Sequence, residues 1–258
     1  MIRRWSSKNP NLYLHRINGF VNPLFQSSFH PRQGEGKLLK SIFCLEKEAL
    51  RASGVEESDR VTEYLIKLDV LYHQFIDETP LPSDPLVRAR SLFDWLWRKK
   101  PSRNKSHGPY RLNEVIDAQL EIHVQTVGNC LGLTLLYNCL LQKMGIPAGA
   151  LYLENAFGMG PHVLTLLKIG NSVIDVENIF PYGFAYQHHL SDPSRTSWAD
   201  RELISDICLS VGNEFFARGQ WDQALASYDK AIILNHRYEK AHLNRVIVLA
   251  KVEEQGKM

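Results

Sequence analysis

The chain has 258 residues, 30 of them Lys or Arg against 28 Asp or Glu, for a net charge of +2, and 44% are apolar. That length holds one large domain or two modest ones, and the apolar share is that of a globular protein rather than a disordered one. Near-neutrality leaves no global field to draw nucleic acid or a membrane surface, which excludes charge-driven binding as the main function.

Acidic residues begin only at Glu35, after Arg3, Arg4, Lys8, Arg16 and Arg32. This basic arm, residues 1–36, lacks the uninterrupted apolar run and cleavage site of a secretory signal. A plain ordered or frayed segment fits it, and so does a targeting or secretion-system signal. No span of about twenty apolar residues follows, since even Leu131 to Leu153 carries Asn138, Gln142, Lys143 and Pro147. The expectation is a soluble cytoplasmic protein. Cys44, Cys130, Cys139 and Cys208 are scattered, with no CxxC and no His at metal-ligand spacing. They read as reduced thiols, and neither a metal nor a cofactor is expected.

Helical periodicity over 37–79 predicts two helices, one on Leu38, Leu39, Ile42, Phe43 and Leu45, the next on Val61, Leu65, Leu68, Val70 and Leu71. Prolines at 80, 82 and 85 break the pattern, and Ser83 or Asp84 offers an N-cap with Pro85 in the first turn. The helix that starts there buries Leu86, Ala89, Leu92, Phe93 and Leu96 and stops before Pro101. The basic stretch from Arg98 to His107 has no interleaved aromatic residue for base stacking and reads as an exposed loop. Helices over 111–123 and 130–144 follow, the second stopped by Gly145-Ile-Pro147.

Residues 148–154, 162–169 and 172–177 then read as strands, the last two joined through Gly170-Asn171 as a two-residue hairpin. From Asp206 onward the pattern is wholly helical. Gly212, Phe215, Gly219, Ala224, Tyr228 and Ala231 fall at the offsets of a tetratricopeptide repeat, while Cys208 and His236 depart from it. Glu239 to Glu253 reads as a third, capping helix, and a lone repeat is expected to pack on the preceding domain. The expected organisation is a basic arm (1–36), a helical region (37–79), an α+β core (80–200) and a helical repeat (205–258).

The residues that can carry chemistry lie in the core. Cys130 follows Gly128-Asn129 at the start of an apolar helix, where unpaired backbone N–H groups and the positive end of the helix dipole favour a thiolate. A thiol nucleophile needs a base that takes its proton and later returns it, and an acid that orients the base. His162 is the candidate base, and Asp175 or Glu177 the acid. In a strict two-residue hairpin Asp175 falls opposite Leu166 and Glu177 opposite Leu164, so both share the face of His162. Glu177 is then a diagonal step from His162, whereas Asp175 lies about 13 Å along the strand. The Cys130 backbone N–H and an amide of Gln125, Asn129 or Gln119 are candidate oxyanion donors. Cys139 lies near the opposite face of the same helix and reads as core.

Gly128-Asn-Cys130, Gly145-Ile-Pro147-Ala, His162-Val and Val173-Ile-Asp175 resemble the nucleophile turn, helix stop, histidine and acid elements of the transglutaminase-like superfamily, which has a papain-like fold. Leu131, Leu164 and Val176 depart from its usual Trp, Trp and Pro. Together with Tyr110-Arg-Leu-Asn-Glu-Val115 and the terminal repeat, the chain looks like the bacterial SirB family over residues 84–250. The resemblance implies a papain-like α+β core and a Cys130, His162, Asp175 triad acting on amide or isopeptide bonds. The protein or peptide partner would be substrate or, in a non-catalytic module, ligand. Calcium is not implied, because no acidic cluster has the required oxygen-ligand spacing.

Overall fold

The computed structural model describes residues 44–256, which fall within one compact unit, Phe43–Met258. The basic arm and most of the first expected helix lie outside the described residues. The elements in order are α1 (Leu45–Ala52), α2 (Ser58–Glu78), α3 (Pro85–Lys99), α4 (Leu112–Leu120), α5 (Cys130–Lys143), β1 (Ala148–Leu153), a 3₁₀ turn (Ala156–Gly158), β2 (His162–Ile169), β3 (Ser172–Val176), β4 (Thr196–Trp198), α6 (Asp200–Ala217), α7 (Trp221–Leu234) and α8 (Glu239–Gly256).

Local chemistry explains the boundaries. The Asp84 carboxylate accepts from the N–H groups of Leu86 and Val87, and Pro85 occupies the first turn, so α3 starts where two orphan donors are satisfied. Gly145 and Ile146 close the end of α5 with backbone bonds to Gln142 and Leu141 before Pro147. Helix α5 is the centre of the molecule. Every residue from Leu131 to Leu141 is buried, between α1, α2 and α4 on one side and β1 and β2 on the other. Each fully buried leucine there contributes about 1.5–3 kcal/mol by removal from water.

The four strands form one antiparallel sheet in the order β3-β2-β1-β4. The β2–β3 register places Asp175 opposite Leu166 and Ser172 opposite Ile169, as a two-residue Gly170-Asn171 turn dictates. Strand β4 is an addition to the sequence reading; its three residues are too short to leave a period. Much of the basic stretch, Lys105 and His107 included, is the exposed loop expected, but two of its cations are not exposed. Lys100 and Arg103 are buried, the Lys100 ammonium donates to the Glu121 and Val124 carbonyls, and the Arg103 carbonyl accepts from Val127 and Gly128. Through these two residues the loop also braces the turn before Cys130.

Helix α6 packs antiparallel on α7, and Gly212 lies so close to the Tyr228 ring that an added Cβ would sit 2.4 Å from it. Side chains from Leu45 through Val248 belong to one continuous apolar cluster, so the C-terminal helices share the core of the α+β part. The architecture is mixed helix plus a small antiparallel sheet, with C-terminal helices that complete one side of it.

Candidate active site

The N-terminus of α5 is positioned from both flanks. The Asn129 side chain caps the helix by accepting from the Gly132 N–H at 3.1 Å, and the Asn129 N–H donates to the Pro109 carbonyl at 3.0 Å. One turn deeper, Thr134 and Asn138 of α5 join a buried polar network. Thr165 of β2 donates to Asn138, Asn178 donates to Thr165 and Thr134, and Asn138 donates to the Gly149 carbonyl. Buried polar groups left unpaired are costly, so this network fixes helix and sheet in one alignment. With α5 registered against β2 and the segment after β3, the first residue of the helix meets the first residue of the strand.

There the His162 ring lies between two groups. Its Nε2 is 2.7 Å from Oε2 of Glu177, and the Cys130 thiol is near enough to favour its charged form. Burial disfavours the imidazolium, but hydrogen bonds to Cys130 and Glu177 and the charge of both outweigh it and hold His162 up at about 10. Burial likewise pushes Glu177 up, and hydrogen bonds to His162 and His189 overcome it, keeping the carboxylate below its usual range. Glu177 is fully buried, 0% exposed, so the pair acts in a medium where charge interactions are strong.

Of the two acids that the sequence leaves open, the structure brings Glu177 to His162. Asp175 does not turn to the ring. Its carboxylate takes a bidentate pair from Arg195, Nη1 at 2.6 Å and Nη2 at 3.0 Å, and Arg195 also donates to the His189 carbonyl at 3.0 Å. The physical reason is local: a guanidinium twenty residues on matches both oxygens of Asp175. Among the oxyanion candidates, Gln125 is exposed, the Asn129 carbonyl oxygen is engaged in the cap, and Gln119 is buried on α4 with no hydrogen bond to its Oε1. Cys139 is buried in the core, as is Cys208, whereas Cys130 and Cys44 are half-buried.

One member of the site escaped the sequence. His189, in the loop between β3 and β4, is buried with Nε2 3.3 Å from Oε2 of Glu177. Nothing periodic marks it. Phe157, with its backbone at φ 55°, sets its ring against both imidazoles, with centroids 5.6 Å from His162 and 4.8 Å from His189. Phe180 and Tyr186 extend this aromatic cover. On another side stands Tyr238, the last residue before α8, edge-on to Tyr152 and Trp198. Burial pushes its phenol far up, with help from Asp206 and from the nearby Cys130.

The fold is a helical layer over a small antiparallel sheet, closed by C-terminal helices, and residues 212–252 match the family model of the TPR repeat. No curated protein and no solved structure matches the chain. TPR repeats commonly mediate protein interactions, and no helix among the described residues is long and apolar enough to cross a membrane.

Proposed function

We propose that this chain is a thiol hydrolase or acyltransferase for amide or isopeptide bonds, built on a transglutaminase-like, papain-related core nearest to the SirB family. The observation that carries the reading is His162, held on one nitrogen by the buried Glu177 carboxylate and near enough to the Cys130 thiol for the thiol to favour its charged form. Cys130 attacks the substrate carbonyl carbon while its proton passes to His162. The resulting oxyanion is met by the Cys130 backbone N–H and by a side-chain amide of Gln125, Asn129 or Gln119. Collapse expels the amine, which takes the proton from His162, and leaves a thioester on Cys130. Water or a second amine, losing a proton to His162, then releases the acyl group. Glu177 keeps the ring oriented and stabilises its cation, the role that the resemblance alone gives to Asp175. A reducing compartment, the cytoplasm, suits its four unpaired cysteines.

The test is competitive alkylation of the whole chain with iodoacetamide, read by peptide mass spectrometry. Burial raises the thiols of Cys44, Cys139 and Cys208 and makes them slow. Cys130 is expected to label far faster than any of them, and His162→Gln to abolish the difference. Labelling of Cys130 no faster than Cys44 refutes the proposal. It would favour a second reading, a non-catalytic interaction module, which draws on the TPR match and on Leu243 and Val246, each 60% exposed on α8.

A further inference from the structure

We infer that His162, His189 and Glu177 form a site for one transition-metal ion of the zinc type. Their donor atoms lie within 4.8 Å of one another, and all three residues are buried. Both imidazoles present Nε2 to the same carboxylate oxygen, at 2.7 and 3.3 Å. A tetrahedral ion with bonds of about 2.0–2.1 Å separates its ligand atoms by about 3.3 Å, so small side-chain movements convert the cluster into a coordination shell. Two imidazoles and one carboxylate suit zinc and its borderline neighbours rather than calcium or magnesium, which take oxygen shells. The fourth position is left to solvent.

The site is braced as metal sites are. Arg195 ties the His189 carbonyl to Asp175, and Asp192 donates its N–H to the same carbonyl, which fixes the loop that carries His189. In the thiol chemistry His189 serves only to help hold Glu177 as a carboxylate, and this second ring so close to the same oxygen is what completes a set of three metal donors.

A metal on Nε2 of His162 would leave Nδ1 bearing the hydrogen, a donor where Cys130 needs an acceptor, and would also draw Glu177 off the ring. Zinc would thus silence the nucleophile without touching sulfur. This consequence rests on the thiol reading proposed above; the binding site itself does not.

The chain, stripped with a chelator, is titrated with Zn²⁺ against a chromophoric competitor and with Co²⁺ by its visible ligand-field bands. The expected result is one ion per chain with a Kd of about 1 µM or tighter. His189→Gln should weaken binding by about 100-fold or more, and Cys130→Ser should leave it within about threefold. Zinc should slow alkylation of Cys130 in the unmodified chain but not in His189→Gln. If that variant fails to fold, protection of His189 from diethyl pyrocarbonate by zinc in the unmodified chain gives the same answer. No uptake, uptake indifferent to His189→Gln, uptake lost in Cys130→Ser, or His189 unprotected by zinc overturns the site. Tight zinc with a sluggish Cys130 in the metal-free chain sinks the thiol reading and leaves the metal site standing. A fast Cys130 without zinc uptake does the reverse.

Discussion

Asp175→Asn separates a structural acid from a chemical one. In the folded chain the Asp175 side chain is 1% exposed and its Arg195 partner 22% exposed, joined by hydrogen bonds of 2.6 and 3.0 Å. Removing one partner of a buried ion pair costs about 3–5 kcal/mol when the other is left stranded. Arg195 is not fully stranded, because it keeps its bond to the His189 carbonyl and its outer edge can take up water. The expected loss is therefore about 2–3 kcal/mol, or about 5–10 °C in Tm for a chain of this size. The rate of Cys130 alkylation should stay within about twofold, since the ring it depends on is held by Glu177. Glu177→Gln should slow the same reaction at least about tenfold, in line with the loss of an oriented base. Urea unfolding and a timed alkylation, run on both variants, decide the matter. An Asp175→Asn chain with unchanged stability and a tenfold slower Cys130 would refute the assignment of the two acids.

Three more outcomes follow from particular contacts. Gly132→Ala would place a Cβ 2.6 Å from the Pro109 carbonyl oxygen and 2.7 Å from Val115. The usual helix gain of about 1 kcal/mol is outweighed there, and a net loss of about 1–3 kcal/mol in urea unfolding is expected. Burial raises Asp206 to about 6, against the opposing hydrogen bond from Tyr238. An acid held above its unfolded value binds its proton more tightly when folded, so stability should fall as pH rises from about 4 to about 6 and then level off. Asp206→Asn should remove that slope in denaturation curves taken across the range. Glu214 takes the Tyr110 hydroxyl and the Arg111 guanidinium, each at 2.6 Å, and so fastens α6 to the segment before α4. Glu214→Gln should cost about 1–2 kcal/mol, measured as a lower midpoint in urea, with the fold retained by circular dichroism.

The parts of this fold that the sequence makes legible are those written in local periodicity. Strand β2 runs from His162 to Ile169, as its apolar run and the following Gly170-Asn171 turn indicate, and the same turn, with the two-residue period of a strand, places both acids on the face of His162. What alternation cannot decide is which acid reaches the ring. That depends on Arg195, which is remote in sequence and claims Asp175. His189 is invisible for the same reason, being a loop residue placed by backbone hydrogen bonds rather than by a repeat. The rule that metal ligands occur at short spacings likewise passes over His162, Glu177 and His189, which only the hairpin and the β3–β4 loop assemble. Lys100 and Arg103 misled in the opposite direction, since a run of cations looks solvated until its backbone partners are known.

Tyr238 belongs to the repeat, yet its ring closes over Tyr152 and Trp198 at the rim of the sheet. Deleting the chain beyond Asp206 would accordingly unroof those aromatics and open that rim to bulk water. The C-terminal helices are thus a wall of the sheet as well as a unit of their own, so a change in one is felt by the other.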